Sequence, residues 1–287
     1  MFNPFVFRRR IMRSLPLSFT FILSLEALLS AADSPPIRVG MIGLDTSHAV
    51  AFTALFERLR SRADVPPVKV VVGLPASVPD NPASYKRVER FTEELKTRWK
   101  VKIVRSMDEL LRECDAVMIE SVDGRPHLAQ AKPAFEAGKP VFIDKPLAAS
   151  YEDAKAIVEL SKKKGVPFFS ASALRFCKAY QDIKNDPSLG AILGCDARSP
   201  CSLEPHHPDL YWYGIHGVDP LFMIMGKGCE EVWRVHTANY DLVVGRWKDG
   251  RIGTFRGMRK GAHAYGITVY GEKRTVHSPE RLGNVYE

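Results

Sequence analysis

The fold is decided by residues 115–150, whose sequence is DAVMIESVDGRPHLAQAKPAFEAGKPVFIDKPLAAS. Residues 116–119 form a short apolar run with β-branched members, a turn is predicted at residues 124–126, and apolar residues then recur at helical spacing. Gly138 is placed to end this helix, and residues 141–143 form a second apolar run that is too short for a helix. The pattern therefore predicts a strand, a helix and a parallel strand joined by a right-handed crossover.

Polar residues follow both predicted strands. Ser121 and Asp123 come after the first strand, and Asp144 and Lys145 come at the end of the second. Open parallel sheets bind ligands beyond the carboxyl ends of their strands, so these side chains mark a candidate site. Pro146 restricts the backbone of Lys145 to extended conformations, so the side chain leaves the strand in a limited range of directions. A surface lysine at a strand end is the alternative interpretation of the same residues.

Strands and helices alternate along the first half of the chain. Further strands are predicted at residues 37–43, 68–72, 101–104 and 166–170. Further helices are predicted at residues 47–60, 85–99 and 107–111, and from the capping residue Ser150 to Gly165. This alternation predicts an α/β protein whose first domain, residues 37–171, is a Rossmann-like, nucleotide-binding doubly wound parallel sheet.

The second predicted domain, residues 172–287, has a different pattern. Polar and apolar residues alternate at residues 241–248, 251–257 and 265–270, and the Lys-Asp-Gly sequence at 248–250 predicts a hairpin between the first two of these segments. We therefore expect a C-terminal α+β domain with an open, mostly antiparallel sheet, which binds the substrate and supports oligomerisation.

The first 32 residues are predicted to be a signal peptide and not part of the globular fold. Four arginines precede an apolar run at residues 15–29, and small residues at 30–32 suit cleavage. The run is short for a bilayer span, so no stable membrane span is expected after cleavage. The sequence RRRIMR at residues 8–13 resembles a twin-arginine signal, which predicts an exported, periplasmic or extracytoplasmic protein. A Sec signal or an uncleaved anchor is the alternative.

Composition excludes some classes of partner. The chain has 287 residues, 45% of them hydrophobic, as in an ordinary globular protein of about two domains. The formal charge of +8 falls to +5 without the four arginines and one glutamate of the predicted leader. The remaining basic residues are scattered, so no nucleic-acid partner is expected. The five cysteines form no CxxC pair, and export would permit, but does not require, a disulfide between Cys195 and Cys201.

Three parts of the chain resemble the Gfo/Idh/MocA family of nicotinamide-dependent oxidoreductases. Residues 135–140 and 144–148 resemble the family's EAGKHV and EKPLA signature. Residues 216–219 and 225–226 resemble the HxxD helix of its second domain, with the glycine that follows. Residues 168–176 resemble the last Rossmann strand and its Arg-Phe exit. The resemblance extends over essentially the whole chain after the predicted leader.

This resemblance implies an enzyme that uses NAD or NADP and acts on a small molecule, namely a sugar, a polyol or a related compound. The implied reaction moves a hydride to or from a secondary carbon that bears the hydroxyl or carbonyl group. His216 is the implied base, because an ordinary histidine pKa of about 6.5 suits proton exchange, and Lys145 supplies the ammonium that stabilises the oxyanion. A homo-oligomer is also expected, with the open sheet as its interface.

The predicted cofactor site departs from the family pattern at its phosphate loop. A Rossmann loop carries GxGxxG, whereas residues 43–48, GLDTSH, keep the first glycine alone. Asp45 stands at the second glycine position, where its charge is expected to oppose a pyrophosphate, while Thr46 and Ser47 offer hydroxyl groups at a helix N-terminus. No acid or arginine directly follows the second strand, so NAD and NADP are not distinguished. The predicted cofactor-binding residues are Gly43, Asp45, Thr46, Ser47, His48, Ser121, Asp123, His127, Asp144, Lys145 and Pro146.

The predicted substrate site departs from the family as well. Family members commonly carry an aspartate four residues before the motif histidine, where this chain has Trp212. Asp219 lies one helical turn beyond His216 and is expected to orient it instead. The chain ends soon after its last predicted strand, without the family's helical tail, so we expect a short or truncated form. The predicted substrate-binding residues are Arg175, His206, His207, Trp212, Tyr213 and Asp219.

Two alternative functions remain open at this point. The substitutions at Asp45 and Trp212 suit a non-catalytic binding protein that retains the fold. The cluster at residues 201–209, which contains one cysteine, one glutamate, two histidines and one aspartate, suits a metal-dependent variant, although its spacing matches no standard zinc pattern. The leading prediction assigns no metal ligands.

Overall fold

The computed structural model describes residues 35–262, 264–280 and 282, so the predicted signal peptide lies outside the described residues. The first six strands form one parallel sheet in the order β3-β2-β1-β4-β5-β6. The chain changes direction across the sheet between β1 and β4, which is the strand order of a dinucleotide-binding domain. The strands are β1 Ile37–Ile42, β2 Val68–Leu74, β3 Lys102–Ile103, β4 Ala116–Ile119, β5 Val141–Asp144 and β6 Phe168–Ala171.

Helices cover both faces of this sheet, as the alternating pattern predicts. They are α1 Ser47–Leu59, α2 Pro82–Tyr85, α3 Val88–Arg98, α4 Met107–Glu113, α5 His127–Glu136 and α6 Tyr151–Lys164. One core layer packs Met41 against Leu95 of α3, and the layer on the opposite face packs Phe135 of α5 and Ile157 of α6 against the strands. Among the helices that the structure describes, none is long and apolar enough to cross a membrane.

The helix predicted at residues 85–99 forms as α3, and a separate short helix, α2, precedes it. The Asn81 side chain accepts a hydrogen bond from the backbone N–H of Ala83, and Pro82 occupies the first turn, so these two residues begin α2. Ser84, on this short helix, is fully buried and donates a hydrogen bond to Asp45 in the loop after β1. This hydrogen bond connects α2 to the predicted phosphate loop.

The remaining strands form a second sheet in the order β12-β11-β7-β10-β9-β8, in which β7 and β10 pair in parallel and the other described pairs are antiparallel. The strands are β7 Ile192–Pro200, β8 Cys229–His236, β9 Tyr240–Trp247, β10 Ile252–Met258, β11 Gly266–Gly271 and β12 Thr275–His277, and two helices, α7 Lys178–Lys184 and α8 Ile215–Met225, accompany them. Gly217 lets α8 approach the sheet closely, because a Cβ there would lie 2.3 Å from the Phe255 ring. The predicted α+β architecture with a mostly antiparallel sheet is confirmed.

The five cysteines are all free thiols. Cys195 and Cys201 lie fully buried in the core beneath the second sheet, where burial raises the pKa of Cys195 to about 12. The disulfide that export would permit between them is therefore not formed, and both side chains act as small apolar groups in the core.

Candidate active site

The loop after β1 packs its first residues against the end of β4. Gly43 has a φ of +79°, and a Cβ at this position would lie 2.1 Å from the Oγ atom of Ser121. Asp45 is fully buried, and its carboxylate accepts hydrogen bonds from the Val122 backbone N–H at 2.9 Å and from the Ser84 hydroxyl. Burial raises the pKa of Asp45. The Asp45 carboxylate therefore points into the protein interior. In this position it does not oppose a pyrophosphate, contrary to the prediction.

Replacing Gly43 with alanine is expected to destabilise the protein by more than about 3 kcal/mol, because a left-handed backbone costs a residue with a Cβ about 1–3 kcal/mol and the collision with Ser121 adds to it. The matched control is Gly138→Ala, because Gly138 also has a positive φ, +69°, but nothing within 4 Å of an added Cβ. Urea unfolding of both variants checks the difference. Equal losses of stability would show that the contact between the loop and β4 contributes nothing.

The first turn of α1 offers an anion site. Thr46 caps the helix, its Oγ1 accepting from the backbone N–H of His48 at 3.3 Å, and Ser47 is exposed. The first turn carries no acidic side chain. The partial positive charge of a helix N-terminus favours a phosphate there, so these residues suit the pyrophosphate of a dinucleotide.

Three other predicted cofactor residues have their polar atoms engaged inside the protein. The Ser121 hydroxyl is hydrogen-bonded to the side-chain amide of a glutamine on α5. Asp123 is fully buried, and although burial alone would raise its pKa, hydrogen bonds from Arg125 and Asn81 lower that pKa to about 2. The buried ring of His127 lies 2.8 and 3.2 Å from two backbone carbonyl oxygens, and burial lowers its pKa. These residues hold the floor of the crevice in place.

Lys145 lies directly after β5, as the sequence predicts, but it is enclosed rather than a surface lysine. It is 7% exposed, its Nζ atom lies 5.7 Å from the centre of the Trp212 ring, and its peptide bond to Pro146 is cis. The preceding residue, Asp144, is bonded to Nδ1 of His48 at 2.6 Å. Burial alone would raise the pKa of Asp144, but the hydrogen bond with His48 and the positive charge of Lys145 lower it.

Glu120, the residue directly after β4, is a site residue that the sequence analysis missed. It is fully buried, and neither carboxyl oxygen has a hydrogen-bond partner within the described part of the chain. Burial and then the charge of Asp144 raise the pKa of Glu120 well above its ordinary value. Buried polar groups without partners are rare in proteins. A glutamate that follows an apolar strand without a break is the sequence signal that could have identified it.

The prediction that Asp219 orients His216 is wrong. Nδ1 of His216 lies 2.7 Å from the Ser172 hydroxyl, whereas the Asp219 carboxylate accepts from the Ser172 backbone N–H at 2.9 Å and pairs with Arg175. The guanidinium lies close enough to take both carboxylate oxygens, so Asp219 and Arg175 satisfy each other instead of facing a substrate. Burial, then the charge of Lys145, lowers the pKa of His216 to about 3. His216 is therefore neutral, and the assumption of an ordinary pKa is corrected.

Aromatic side chains of the second domain line the crevice beside Lys145 and His216. The Tyr213 ring lies 4.7 Å from the His216 ring, centre to centre, and the Tyr213 hydroxyl is 3.2 Å from that of Tyr265. Trp212 packs over Lys145. The predicted substrate residues Trp212 and Tyr213 are thus brought to the same place as the two predicted catalytic groups.

The cluster at residues 201–209 does not converge on one point. His206 and His207 each direct Nδ1 to Glu204, at 2.8 and 2.6 Å, and Nε2 of His207 accepts from a backbone N–H that follows β4, at 3.0 Å. The Cys201 thiol is buried in the core, and Asp209 pairs with an arginine on β8. Among the described residues, ligand atoms at metal-binding spacing come instead from His48, Glu120 and Asp144. The segment that was the alternative metal site instead forms hydrogen bonds around Glu204, and His207 connects it to the loop after β4.

The residues at the crevice fit a nicotinamide dinucleotide. The buried Asp45 leaves the N-terminus of α1 without an opposing charge, and the crevice lies at the point where the strand order reverses. One departure is His48, which stands at the third glycine position of the loop and directs its ring toward Asp144. The loop is therefore altered in detail while its anion-binding end is retained.

Comparisons with known proteins agree with this architecture. The family model described as an oxidoreductase family with an NAD-binding Rossmann fold matches residues 37–172. The inositol 2-dehydrogenase 1 of Saccharopolyspora erythraea is 40% identical over 146 residues, which is 48% of this chain and 43% of the relative. The myo-inositol 2-dehydrogenase of Thermotoga maritima is 27% identical over 165 residues, 49% of each chain. The chain thus spans about half the length of these curated relatives.

A solved structure shows the same fold over both domains. The structure of GenD2 from gentamicin A biosynthesis in complex with NAD superposes with a TM-score of 0.67 at 18% identity, covering 85% of this chain and 72% of that one. Together, the matched family model and this shared fold identify residues 37–172 as an NAD-binding Rossmann domain. Residues 37–172, which form its Rossmann domain, match the Gfo/Idh/MocA family of oxidoreductases.

Proposed function

We propose that this protein moves a hydride between NAD or NADP and a secondary hydroxyl or carbonyl carbon of a sugar, polyol or related compound. The observation that carries the proposal is the placement of Lys145, which follows β5, and His216, which lies on α8, close enough for the lysine to lower the histidine pKa. When bound, the nicotinamide accepts or supplies the hydride. The protein supplies the groups that manage the hydroxyl proton and the charge on oxygen.

Lys145 stabilises the oxyanion in this proposal. The ammonium is nearly enclosed and fixed above by Trp212, so its charge acts through little water. A positive charge in such a site lowers the pKa of a substrate hydroxyl next to it and reduces the base strength that proton removal requires. Lys145 thereby allows a weak base to suffice.

His216 takes the hydroxyl proton. Its neutral ring donates from Nδ1 to the Ser172 hydroxyl in the tautomer that the reaction requires, which leaves the Nε2 lone pair for the substrate. Ser172 is in turn held by Asp219 through its backbone N–H. The imidazole ring is thus oriented by the hydroxyl of a residue that directly follows β6.

A hydroxylated ring suits the wall of the crevice. Trp212 and Tyr213 present aromatic surface next to the two polar groups, an arrangement that stacks on the apolar face of a cyclic sugar or polyol while hydroxyls reach Lys145 and His216. The names of two relatives as inositol dehydrogenases support a cyclic polyol as the first class to test.

Cofactor release and titration test the proposal. Purified protein is denatured and the supernatant assayed for NAD and NADP, both cofactors are titrated against a second sample, and cyclic polyols and sugars are screened for cofactor reduction. We expect one cofactor to be released or to bind below millimolar concentration, with reduction by at least one cyclic polyol. If neither cofactor is released or binds, the oxidoreductase proposal fails.

A non-catalytic binding protein is the second candidate. The observation that favours it is His48, which stands where a glycine is usual and whose ring is hydrogen-bonded to Asp144. In that case polyols bind with no cofactor present, and calorimetry detects the heat of binding.

We also propose that residues 1–32 direct export, by the twin-arginine route, and that the folded part consists of domains at residues 37–171 and 172–287. Fractionation of cells that express the full chain tests the first point: the mature protein should appear in the extracytoplasmic fraction and should be retained inside when Arg8, Arg9 and Arg10 are replaced by lysine. Limited proteolysis near residue 172 tests the second.

A homo-oligomer that uses the second sheet is proposed as well. The large apolar side chains Val232, Trp233 and Val235 of the edge strand β8 are exposed by 53% or more, which is unusual for a surface strand without a partner. Light scattering of the purified protein should give a mass above that of one chain, and Val235→Glu should reduce it.

A further inference from the structure

We propose that His48, Glu120 and Asp144 bind one divalent transition-metal ion at the bottom of the crevice, beside Lys145. The three side chains come from three places in the sequence: the first turn of α1, the end of β4 and the end of β5. The proposal does not rest on the proposed dehydrogenase activity, because metal binding is measured without cofactor or substrate.

The geometry suits a small ion. One ligand atom from each residue lies within 4.8 Å of the other two, and the Nδ1 atom of His48 is 2.6 Å from Asp144. Bonds of about 2.0–2.2 Å from Zn²⁺ to nitrogen and oxygen place neighbouring ligands about 3.3 Å apart in a tetrahedral site. A small rotation of the side chains that opens the His48–Asp144 contact and brings Glu120 closer is therefore enough to reach this ligand spacing.

Glu120 is the independent observation that points to a ligand. Its side chain is fully buried, and neither of its carboxyl oxygens has a hydrogen-bond partner among the described residues. One of these oxygens lies within 4.8 Å of ligand atoms of His48 and Asp144. Two carboxylates side by side repel one another unless a cation or a proton lies between them. A bound cation would give both Glu120 oxygens the partner that the described residues do not supply, and it would offset the charge of the Asp144 carboxylate beside them.

The ligand set indicates the class of ion. One imidazole and two carboxylates suit Zn²⁺ and Mn²⁺ better than the soft thiolate-binding metals, and three protein ligands leave a position open, as in catalytic zinc sites. With Lys145 nearby, the site with a divalent ion carries a net positive charge. Its open position therefore favours an anionic oxygen, such as hydroxide or a deprotonated substrate hydroxyl.

Direct metal measurement tests the proposal. Full-length protein is treated with a chelator, dialysed and titrated with Zn²⁺ and with Mn²⁺ by calorimetry, and the bound metal is counted by mass spectrometry. We expect one ion per chain, with Co²⁺ in its place giving the absorption of a low-coordinate nitrogen and oxygen site. Glu120→Gln and Asp144→Asn should each weaken binding by at least about 100-fold, since even residues that support a ligand indirectly account for 10- to 100-fold.

Glu204→Gln is the matched control, because Glu204 is a carboxylate bonded to two histidines in the other candidate cluster. It should leave metal affinity within about threefold of the starting protein. Glu120→Gln keeps the shape of the side chain and removes its charge, so it should melt at or above the temperature of the metal-free starting protein, and metal should not raise that temperature. The proposal is overturned if the starting protein binds less than stoichiometric metal, or if Glu120→Gln binds as tightly as it does.

Cofactor titration of the same samples separates this inference from the proposed function. If the protein binds metal but neither NAD nor NADP, the proposed metal site is upheld and the proposed dehydrogenase activity is refuted. If the protein binds cofactor but no metal, the metal site is refuted and the dehydrogenase proposal stands. Glu120 would then be a buried protonated acid, and its carboxyl C=O stretch would appear in the infrared spectrum and be lost in Glu120→Gln.

Discussion

Replacing Lys145 with methionine is expected to lower kcat by at least about 100-fold, the size of the effect when one group that stabilises an oxyanion is removed. Methionine keeps the length and apolar stem of the side chain but removes the ammonium that lies 5.7 Å from the Trp212 ring. Because the ammonium interacts most strongly with the charge that develops on oxygen, the loss should appear in kcat more than in the affinity for substrate. Cofactor reduction at saturating polyol measures it.

The control for this variant is Lys132→Met, which makes the same chemical change at an exposed position on α5. It should retain kcat within about twofold, since surface substitutions away from the site have small effects. Thermal melts of both variants show whether the fold persists. A Lys145→Met enzyme that is folded and loses less than tenfold in kcat would mean that the ammonium only holds Trp212 or the cofactor in place.

The position of Lys145 shows which features could be predicted from sequence. The strand β5, the residues at its end and the helix α6 that follows are all determined by local sequence signals. Ser150 caps α6 by accepting a hydrogen bond from the Asp153 backbone N–H, and Gly165 ends the same helix with a φ of +67°. Such signals act within one or two turns of the chain, so a pattern of residue types is sufficient to place the strand tip.

The partners of the site residues could not be predicted in the same way. Asp45 was expected to face a phosphate, but Ser84 and the Val122 backbone N–H, 39 and 77 residues away, draw it into the interior. Ser172 binds His216 across 44 residues in place of Asp219. Which of several nearby groups a polar side chain selects depends on packing between distant segments, and the local sequence holds no record of that choice.

The family resemblance predicted some residues of the site and left out another. It identified Lys145 and His216 as a pair, and the structure brings both to one crevice. The resemblance rests on residues that the family shares, and Glu120 belongs to none of those motifs, although its carboxyl group is buried without a hydrogen-bond partner in the described part of the chain. A buried polar group that lacks a hydrogen-bond partner can be recognised only when the neighbours of its side chain are known.

Replacing His216 with glutamine is expected to lower kcat by about 100-fold or more, because general-base catalysis by a positioned side chain contributes about 10²- to 10⁴-fold. Glutamine retains a hydrogen-bonding group for Ser172 but cannot take a proton. The loss should persist at every pH between 6 and 9, since a histidine with a pKa of about 3 is neutral throughout that range. A ring that titrated near pH 6.5 would instead give the starting enzyme a fall in kcat/KM below that pH that His216→Gln lacks.

The same variant should also change how stability depends on pH. His216 has a folded-state pKa of about 3, below its unfolded value, so between these values the unfolded chain binds more protons than the folded one. Acid therefore favours unfolding, and the contribution of this residue is present above pH 6.5 and lost as the pH falls toward 3. Between pH 7.5 and 5 the starting protein should lose about 2 kcal/mol more stability than His216→Gln does.

Urea unfolding of both proteins at pH 7.5 and 5 measures this difference. His127 is also buried with a lowered pKa, but it is present in both proteins, so its contribution cancels in the comparison. Ser172→Ala serves as a second variant that keeps the imidazole and removes its hydroxyl partner, and it should lower kcat less than His216→Gln does. Parallel pH dependences for the two proteins would show that the ring of His216 is hydrated in solution, and the argument that it acts as a neutral base beside Lys145 would then be lost.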